Sequence, residues 1–391
     1  MNKKIAIIHP EGNILYNANL LGMVEIFSEK GYSVDIYCPK MGIAQHSPCS
    51  PARMVFYNHA ERFVGGIGIA KLRFVRRVLK TVRTFDEARL CERGVDADLI
   101  IGVDREGVIL AAKLARMKKI PYGLISYEIF FSGETGGDFK AEEIQACRDI
   151  DFAVSQDPLR AEKLAEENSI PVGKIIGIPV AGRRVEKGGK QFFLHDALGI
   201  SHNRHIVLYM GEGADWTRMP DLLRYSRDWG DDWVLVVHLR YGLTPYMRRI
   251  LKPYKNSKRI FISSLPVNSC KELTPLLKSA DMGVALYQPT YTGPYTGNNL
   301  KHLGLSSGKL ASYVQNGLPV IVNEIGLWSD SVRACNLGIV VNDKIDLPPP
   351  DELERYRERC YRFFEEKLDL NKTITPLLDK IAAVLSGSGE A

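Results

Sequence analysis

The 391-residue sequence has no long hydrophobic run, no Cys-x-x-Cys pair and no large excess of charge of one sign. Because no apolar stretch approaches the ~18 residues that a membrane-spanning helix needs, we expect no such helix. The apolar run at residues 5–8 is too short for a signal peptide and ends at His9-Pro10, so we expect a cytoplasmic protein.

The cysteines and the composition exclude further classes of protein. Seven cysteines are scattered along the chain, which argues against a disulfide framework and against a zinc ribbon. Hydrophobic residues make up 45% of the sequence and charged residues 25%, so wholesale disorder is excluded. The formal net charge of +6 is modest and identifies no partner by itself.

Short apolar runs alternate with amphipathic stretches in both halves of the chain. The predicted strands are residues 5–8, 34–37, 99–101, 122–126, 152–154, 174–176, 206–210, 233–237, 260–262, 282–286, 319–322 and 338–341, and the clearest helices are residues 108–117, 159–166, 273–279 and 308–315. Strands that alternate with helices of about ten residues predict βαβ units and parallel sheets. The pattern therefore predicts an α/β protein with doubly wound, Rossmann-like domains.

The chain is long enough for two domains at roughly 150 residues per domain. The alternation stops at residues 181–203, a polar, glycine-rich stretch that predicts a linker. The predicted domains are therefore residues 1–180 and 204–391. After Pro348-Pro349-Pro350, Asp351 is predicted to cap a long charged helix.

The most informative segment is Ser306-Ser307-Gly308-Lys309, where a loop of small polar residues opens a predicted helix. Free N–H groups and the positive end of the helix dipole favour an anion there, and Lys309 adds a full charge. A plain capped helix of a Rossmann domain explains the same residues, so the local pattern leaves both interpretations open.

The wider segment resembles a known family. Residues 307–321 carry the pattern Ser-x-Lys-Leu-x-x-Tyr-x-x-x-Gly-x-Pro-Val-Ile, which resembles the donor-site helix of two-domain Rossmann glycosyltransferases with the GT-B fold. Residues 273–284, a helix followed by Ala280-Asp281 and a strand, are similar to the segment that precedes this site in those enzymes. Residues 154–179 resemble the end of their acceptor domain.

The resemblance is to family-four-like nucleotide-sugar transferases, and it implies two Rossmann-like domains facing a cleft. Residues 1–180 would bind the acceptor. Residues 204–391, including C-terminal helices, would bind a nucleotide-sugar donor, with a UDP-sugar expected first. Ser306, Ser307, Gly308 and Lys309 would hold the diphosphate.

The sequence departs from the family at one place. Many members carry two glutamates separated by seven residues, and one of these carboxylates holds the nucleotide ribose. At that spacing this chain has Gly304 and Ser312. The ribose contact is therefore expected from Ser312 or Asn299, or the donor is held differently.

Two arginines are further candidates for the donor phosphates. Ligands of open α/β sheets bind beyond the carboxyl ends of the strands. Arg218 follows the glycine-containing turn after the strand at residues 206–210, and Arg240 follows the strand at residues 233–237. The alternative for each is a solvated surface arginine.

Three carboxylates are candidates for acceptor activation. Asp104 and Glu128 follow the strands at residues 99–101 and 122–126, and Glu11 follows the first strand. In the resembling enzymes, acidic or histidine residues at such strand ends serve the acceptor, whose hydroxyl proton a positioned carboxylate can take. The alternative for each is a helix cap or a solvated loop carboxylate.

No metal site and no cofactor are expected. Asp96-Ala97-Asp98 and Asp149-Ile150-Asp151 look like the Asp-x-Asp motif of metal-dependent glycosyltransferases, but both precede a strand instead of following one. They are interpreted as turn residues. His195, His202 and His205 lack further ligands at credible spacing.

Residues 71–83 form a basic amphipathic stretch. Its cations are Lys71, Arg73, Arg76, Arg77, Lys80 and Arg83, and its apolar residues repeat at helical spacing. Such a helix suits an anionic membrane surface or an anionic acceptor such as a lipid diphosphate. A normal helix packed on the sheet is the alternative, and nucleic acid is not expected.

These features predict a metal-independent glycosyltransferase, a hexosyltransferase, that acts on a glycan or lipid-linked acceptor in cell-surface polysaccharide synthesis. The expected location is the cytoplasm, including the inner face of the plasma membrane. Two rivals stay open, namely a nucleotide-sugar epimerase of the same fold and a non-catalytic subunit that partners an active transferase.

Overall fold

A computed structural model describes residues 2–39, 51–57, 90, 94–135, 137–239 and 242–387 of the chain. These residues form two compact units. The first unit contains Met1–Ile14, Leu20–Gly177 and Ile374–Ala391, and the second contains Leu15–Asn19 and Ile178–Thr373. Within the described ranges, no helix has both the length and the apolar character that crossing a membrane requires.

Strands and helices alternate through both units. The strands are β1 (Lys4–Ile8), β2 (Ser33–Pro39), β3 (Arg53–Tyr57), β4 (Leu99–Val103), β5 (Tyr122–Ile125), β6 (Phe152–Ser155), β7 (Ile175–Gly177), β8 (His205–Gly211), β9 (Trp233–Leu239), β10 (Ile260–Ser263), β11 (Met282–Ala285), β12 (Val320–Val322) and β13 (Gly338–Val340). The α-helices are α1 (Ala18–Glu29), α2 (Asp104–Lys118), α3 (Ser132–Thr135), α4 (Gly137–Cys147), α5 (Pro158–Asn168), α6 (Phe193–Leu198), α7 (Met219–Tyr225), α8 (Pro245–Leu251), α9 (Thr274–Lys278), α10 (Asn298–Lys301), α11 (Gly308–Gln315), α12 (Leu327–Cys335), α13 (Leu353–Phe363), α14 (Leu370–Thr373) and α15 (Thr375–Gly387).

The sheet of the first unit has the strand order β3-β2-β1-β4-β5-β6-β7. Every neighbouring pair is parallel. All residues of β4 and β5 are buried, as expected for strands covered on both faces. The chain order reverses between β1 and β4, which makes this the place where such sheets bind ligands.

The sheet of the second unit has the order β10-β9-β8-β11-β12-β13, and its pairs are also parallel. Its order reverses between β8 and β11. At this point the hydroxyl of Tyr313 in α11 accepts a hydrogen bond from the Met210 amide (3.0 Å) and donates one to the Leu208 carbonyl (3.1 Å). Gly283 leaves room for this ring, because a Cβ at that position would lie 2.5 Å from it. Helix α11 is therefore fixed on the sheet where a ligand would bind.

One aspartate precedes each of three strands and bonds the start of the neighbouring strand. Asp98 accepts a hydrogen bond from the Lys4 amide at β1, and Asp151 accepts one from the Tyr122 amide at β5. Asp281 accepts one from the Ile206 amide at β8. These aspartates lie at the amino edges of the sheets, opposite the ligand-binding edges, and for Asp98 and Asp151 this agrees with the interpretation of the two Asp-x-Asp segments as turn residues.

The predicted α/β fold of doubly wound domains is confirmed, with three differences in detail. Strand β3 was not predicted from its short, half-buried sequence. The predicted linker at residues 181–203 contains α6, whose Leu194 is fully buried in the core of the second unit. Asp351 does not cap the charged helix, because Pro350–Glu352 forms a 3-10 turn and Glu352 stands at the cap of α13.

The predicted domain boundaries stay a prediction. The compact units differ from them at three places, because residues 15–19 and 178–203 belong with the second unit and residues 374–391 with the first.

Candidate functional site

Three carboxylates lie at the carboxyl edge of the first sheet, on adjoining strands. Glu11 lies in the loop after β1, Asp104 follows β4 and Glu128 follows β5. Desolvation raises the pKa of both Asp104 and Glu128, and the charge of Glu11 adds to both shifts. The structure thus brings the three residues predicted for acceptor activation together, and we call them the carboxylate cluster.

Asp104 is tied to the backbone of the loop that carries Glu128. Its Oδ1 accepts hydrogen bonds from the amides of Tyr127 (2.6 Å) and Glu128 (3.0 Å). Its φ of 54° is in the left-handed region, which aspartate tolerates better than most residues do. Burial raises the pKa of Asp104 well above its usual value. Asp104 therefore connects the ends of β4 and β5.

The Glu128 side chain reaches solvent, but protein atoms surround its carboxyl group closely enough to perturb its pKa. Desolvation raises its pKa to about 7, the charge of Arg160 opposes this shift, and the charge of Glu11 adds to it. A carboxyl group that titrates near neutral pH suits general acid–base chemistry.

Glu11 is exposed and is held by its own loop. Asn13 Nδ2 donates a hydrogen bond to the Glu11 carboxylate (2.6 Å), and Asn13 Oδ1 lies 3.0 Å from Nε2 of buried His9. This chain of contacts orients the loop that follows β1.

Sequence reasoning missed two polar residues of this region, Gln156 and Arg160. Arg160 is fully buried in α5. Its Nε donates to Gln156 Oε1 (2.7 Å) and its Nη2 to the Tyr127 carbonyl (2.8 Å), while Gln156 Nε2 donates to the Ser126 carbonyl (2.5 Å). The available signal was the position of Gln156, directly after β6 at the same sheet edge.

In the second unit, α11 begins at the end of the sheet where the chain order reverses. Ser307 caps it by accepting a hydrogen bond from the Leu310 amide (3.3 Å), and the Tyr287 hydroxyl lies 2.8 Å from the same oxygen. The Ser306 hydroxyl donates to the Leu303 carbonyl (2.5 Å). Both serine hydroxyls therefore have partners within the protein.

The amides of Gly308 and Lys309 precede the first intrahelical hydrogen bond, which the Ala311 amide donates to Ser307 (3.0 Å). Amides in this position point out of a helix and have no partner in it. Together with the helix dipole they form an anion-binding position.

Lys309 places a cation beside these amides. Its Nζ lies 4.3 Å from the centre of the Tyr209 ring and 5.5 Å from that of Tyr287. Gly211 makes this possible, since a Cβ there would lie 3.2 Å from the end of the lysine side chain. No carboxylate of the described residues pairs with Lys309, and burial lowers its pKa to about 7. We call the two amides and Lys309 the anion pocket.

The other donor-side candidates have protein partners of their own. The Ser312 hydroxyl donates to the Gly308 carbonyl (2.8 Å), and Asn299 is buried in α10. Arg218, with a φ of 48°, pairs with Asp221 at 2.8 Å. A ligand at Arg218 would have to share its guanidinium with Asp221, which contacts Nε and Nη2.

Two predicted elements, Arg240 and the basic stretch at residues 71–83, lie outside the described residues. Among the residues that the structure describes, no group of three or more histidine, cysteine, aspartate or glutamate side chains is placed to hold a metal ion.

Comparison with known proteins gives no match to any family model and none to a curated protein sequence. Solved structures do match. HepE of Anabaena, determined in complex with UDP-glucose, is 11% identical with a TM-score of 0.67, over 98% of this chain and 100% of that one. A glycosyltransferase of Rickettsia africae is 11% identical with a TM-score of 0.64, over 98% of this chain and 99% of that one.

A third similar structure is WaaG, a glycosyltransferase involved in lipopolysaccharide biosynthesis. It is 10% identical with a TM-score of 0.61, over 96% of this chain and 98% of that one. Together with the two parallel sheets, these likenesses confirm the predicted GT-B fold of two Rossmann-like domains.

Proposed function

We propose that this protein is a glycosyltransferase that takes a hexose from a nucleotide diphosphate sugar, in the first place a UDP-sugar, and transfers it to a hydroxyl group. The observation that carries the proposal is the anion pocket, which lies where the strand order of the second sheet reverses. The likeness to HepE, whose structure contains UDP-glucose, supports the choice of donor.

In this proposal the anion pocket binds the donor diphosphate. The amides of Gly308 and Lys309 donate to phosphate oxygens, and the Lys309 ammonium lies beside them. As the sugar–phosphate bond breaks, these groups stabilise the negative charge that develops on the leaving diphosphate. Protein groups then supply the charge neutralisation for which other transferases use a metal ion. Arg218 and Arg240 are further candidates for phosphate contacts, and Asn299 and Ser312 for the ribose.

The carboxylate cluster of the first unit serves the acceptor. An ionised carboxylate can take the acceptor hydroxyl proton as the new glycosidic bond forms. Glu128 is the member with an exposed side chain and a pKa of about 7, which suits this role near neutral pH.

The acceptor is proposed to be a glycan or a lipid-linked sugar of cell-surface polysaccharide synthesis. The basic stretch at residues 71–83 would hold the protein on the inner face of the plasma membrane. The acceptor and the membrane contact are both carried over from the prediction made from the sequence.

The test begins with calorimetric titration of the purified chain against UDP, GDP, ADP and TDP. A nucleotide that binds is then offered as its sugar conjugate, with and without a panel of glycan and lipid-linked acceptors, and with and without EDTA. Transfer that needs an acceptor and survives EDTA is the expected result. No binding of any nucleotide diphosphate would contradict the donor site.

The same experiment separates the two rivals. A change of sugar configuration without an acceptor would identify an epimerase. Donor binding without turnover on any acceptor would support a non-catalytic subunit, for which the replacement of the glutamate pair by Gly304 and Ser312 gives a reason.

A further inference from the structure

The turn at residues 126–128 is held from two sides. Asp104 accepts hydrogen bonds from the backbone amides of Tyr127 and Glu128. On the other side, the Tyr127 carbonyl accepts from Arg160 and the Ser126 carbonyl accepts from Gln156. The backbone that carries the Glu128 side chain is thus fixed through both its N–H and its C=O groups.

A fully buried arginine needs an explanation, because removing a guanidinium from water is costly unless its donors and its charge are compensated. Burial lowers the pKa of Arg160, and the charges of Glu128, Asp157 and Asp104 oppose this shift, in that order of strength. Asp157 also caps α5, where it accepts a hydrogen bond from the Arg160 amide (3.0 Å). The buried cation is thus bonded to the backbone directly before Glu128, at the Tyr127 carbonyl, and the negative charge of Glu128 contributes to its compensation.

One oxygen of the Asp104 carboxyl group is already engaged by the backbone. Its Oδ1 accepts two backbone N–H groups, one at 2.6 Å. These two bonds hold the turn that carries Glu128.

We propose that Arg160 is the positioning residue for Glu128, that Asp104 anchors the same turn, and that Glu128 alone of the carboxylate cluster accepts the proton. The proposal rests on the proposed glycosyl transfer. In that step the acceptor O–H bond breaks as its oxygen bonds the sugar, the proton passes to the Glu128 carboxylate, and the sugar–phosphate bond breaks with its electron pair leaving on the diphosphate.

The first test measures the titration of Glu128 directly, so it does not depend on activity. The chain is labelled with ¹³C at glutamate carboxyls, and the Glu128→Gln variant identifies the resonance. In Arg160→Met the midpoint should rise by about 1 pH unit, because a nearby opposite charge typically shifts a pKa by ~1–3 units. Arg160→Lys, which keeps a charge, should give a smaller rise. An unchanged midpoint in Arg160→Met would overturn the proposal.

A second measurement uses the wild-type chain, in case replacement of the buried arginine prevents folding. The ¹⁵Nε–¹H signal of Arg160 should shift with pH at the Glu128 midpoint. This shift should vanish in Glu128→Gln, a substitution of an exposed side chain. An Arg160 chemical shift that does not change when Glu128 ionises would also overturn the proposal.

Kinetics then distinguish positioning from mere stability. With a saturating donor, Arg160→Lys should lower kcat and move the acidic limb of the kcat profile to higher pH, while calorimetric UDP affinity stays unchanged. If Arg160 only stabilises the fold, Arg160→Lys should lower the amount of active protein and leave the acidic limb of the kcat profile at the same pH. That result would contradict the positioning role. If the wild type binds no nucleotide diphosphate, the proposed function fails, whereas the NMR measurements still decide the link between Arg160 and Glu128.

Asp104→Asn separates the two carboxyl groups. Asparagine tolerates the left-handed backbone and keeps an oxygen for the two amides, so transfer should persist at a rate within about tenfold of the wild type. Glu128→Gln should lose ~100-fold or more, the usual contribution of a general base. The reverse order would assign the proton to Asp104 and refute the proposal.

Discussion

The ammonium group of Lys309 lies 4.3 Å from the centre of the Tyr209 ring, with a second ring, that of Tyr287, at 5.5 Å. Aromatic faces attract a cation without neutralising it. When Lys309 is protonated, its positive charge therefore stays available to a ligand, as it would not beside a carboxylate. This arrangement leads to two predictions about the anion pocket.

Lys309→Met should weaken UDP binding by ~10–100-fold and leave uridine binding nearly unchanged. Charge-assisted hydrogen bonds are typically worth ~1.5–3 kcal/mol, and each ~1.4 kcal/mol changes the dissociation constant tenfold. Calorimetry with UDP and uridine measures both effects. The exposed Lys301, replaced by Met in the same way, is the matched control. Equal losses for UDP and uridine would contradict the phosphate role of Lys309.

The affinity for a UDP-sugar should fall as the pH rises above about 7. Burial lowers the pKa of Lys309 to about 7, so above that pH the empty pocket holds a neutral amine. A bound diphosphate favours the charged form, and binding must then take up a proton. Titrations at pH 8 in two buffers of different ionisation enthalpy count this proton. An uptake of zero at pH 8 would contradict this prediction, because Lys309 would then keep the same protonation state when the ligand binds.

Much of the fold could be predicted because local patterns determine it. Buried strands such as β4 and β8 are short apolar runs, and Ser307 is a typical helix cap at the start of α11. Once the strands are placed in parallel sheets, residues that follow neighbouring strands must meet at one edge. This is why Glu11, Asp104 and Glu128, which each follow a strand, could be chosen as candidates from the sequence.

The roles within these groups could not be predicted, because they depend on contacts between distant residues. Nothing in the sequence distinguishes Arg160 from an exposed helix arginine, or indicates that the Asp104 carboxylate bonds the Tyr127 amide. Likewise, Tyr313 and Asp281 belong to the segments that resemble glycosyltransferases, yet both bond backbone groups of the second sheet. A sequence motif therefore mixes residues that hold the site with residues that would touch a ligand.

Tyr313→Phe and Gly283→Ala should each destabilise the second unit by about 1–3 kcal/mol. The first leaves the buried Met210 amide and Leu208 carbonyl without the Tyr313 hydroxyl. The second forces a methyl group against the Tyr313 ring. Urea unfolding followed by tryptophan fluorescence reports on this unit, because all four tryptophans lie in it.

The matched control for these two variants is Gly230→Ala. Gly230 is exposed, and a Cβ there would meet no atom within 4 Å. Its free energy of unfolding should equal that of the wild type. If Gly283→Ala is as stable as Gly230→Ala, the close contact between Tyr313 and β11 is not present in solution.

Replacing Arg73, Arg77 and Lys80 with Gln should release the protein from anionic vesicles at low salt. Each cation near an anionic bilayer contributes roughly 1 kcal/mol, and salt screens this attraction. Cosedimentation with phosphatidylserine vesicles measures binding, and UDP calorimetry controls for folding. If the wild-type chain does not bind such vesicles, the membrane role is refuted. Normal vesicle binding of the variant with a loss of transfer would instead place this stretch in the acceptor site.

Breaking the buried ion pair between Lys140 and Glu143 should destabilise the first unit by about 3–5 kcal/mol, because the remaining charge stays buried without its partner. Both residues are at most 3% exposed and lie 2.9 Å apart, and Asn168 bonds both of them. Lys140→Met therefore leaves the Glu143 carboxylate buried without its ion-pair partner, whereas the double variant Lys140→Met/Glu143→Leu should recover much of the lost stability.

Amide hydrogen exchange of α4 and α5 measures the effect of these substitutions within the first unit. Lys163→Met, which breaks the exposed pair with Glu166 in α5, is the control and should change exchange little. If Lys140→Met protects these amides as well as Lys163→Met does, the ion pair contributes nothing to the stability of the first unit.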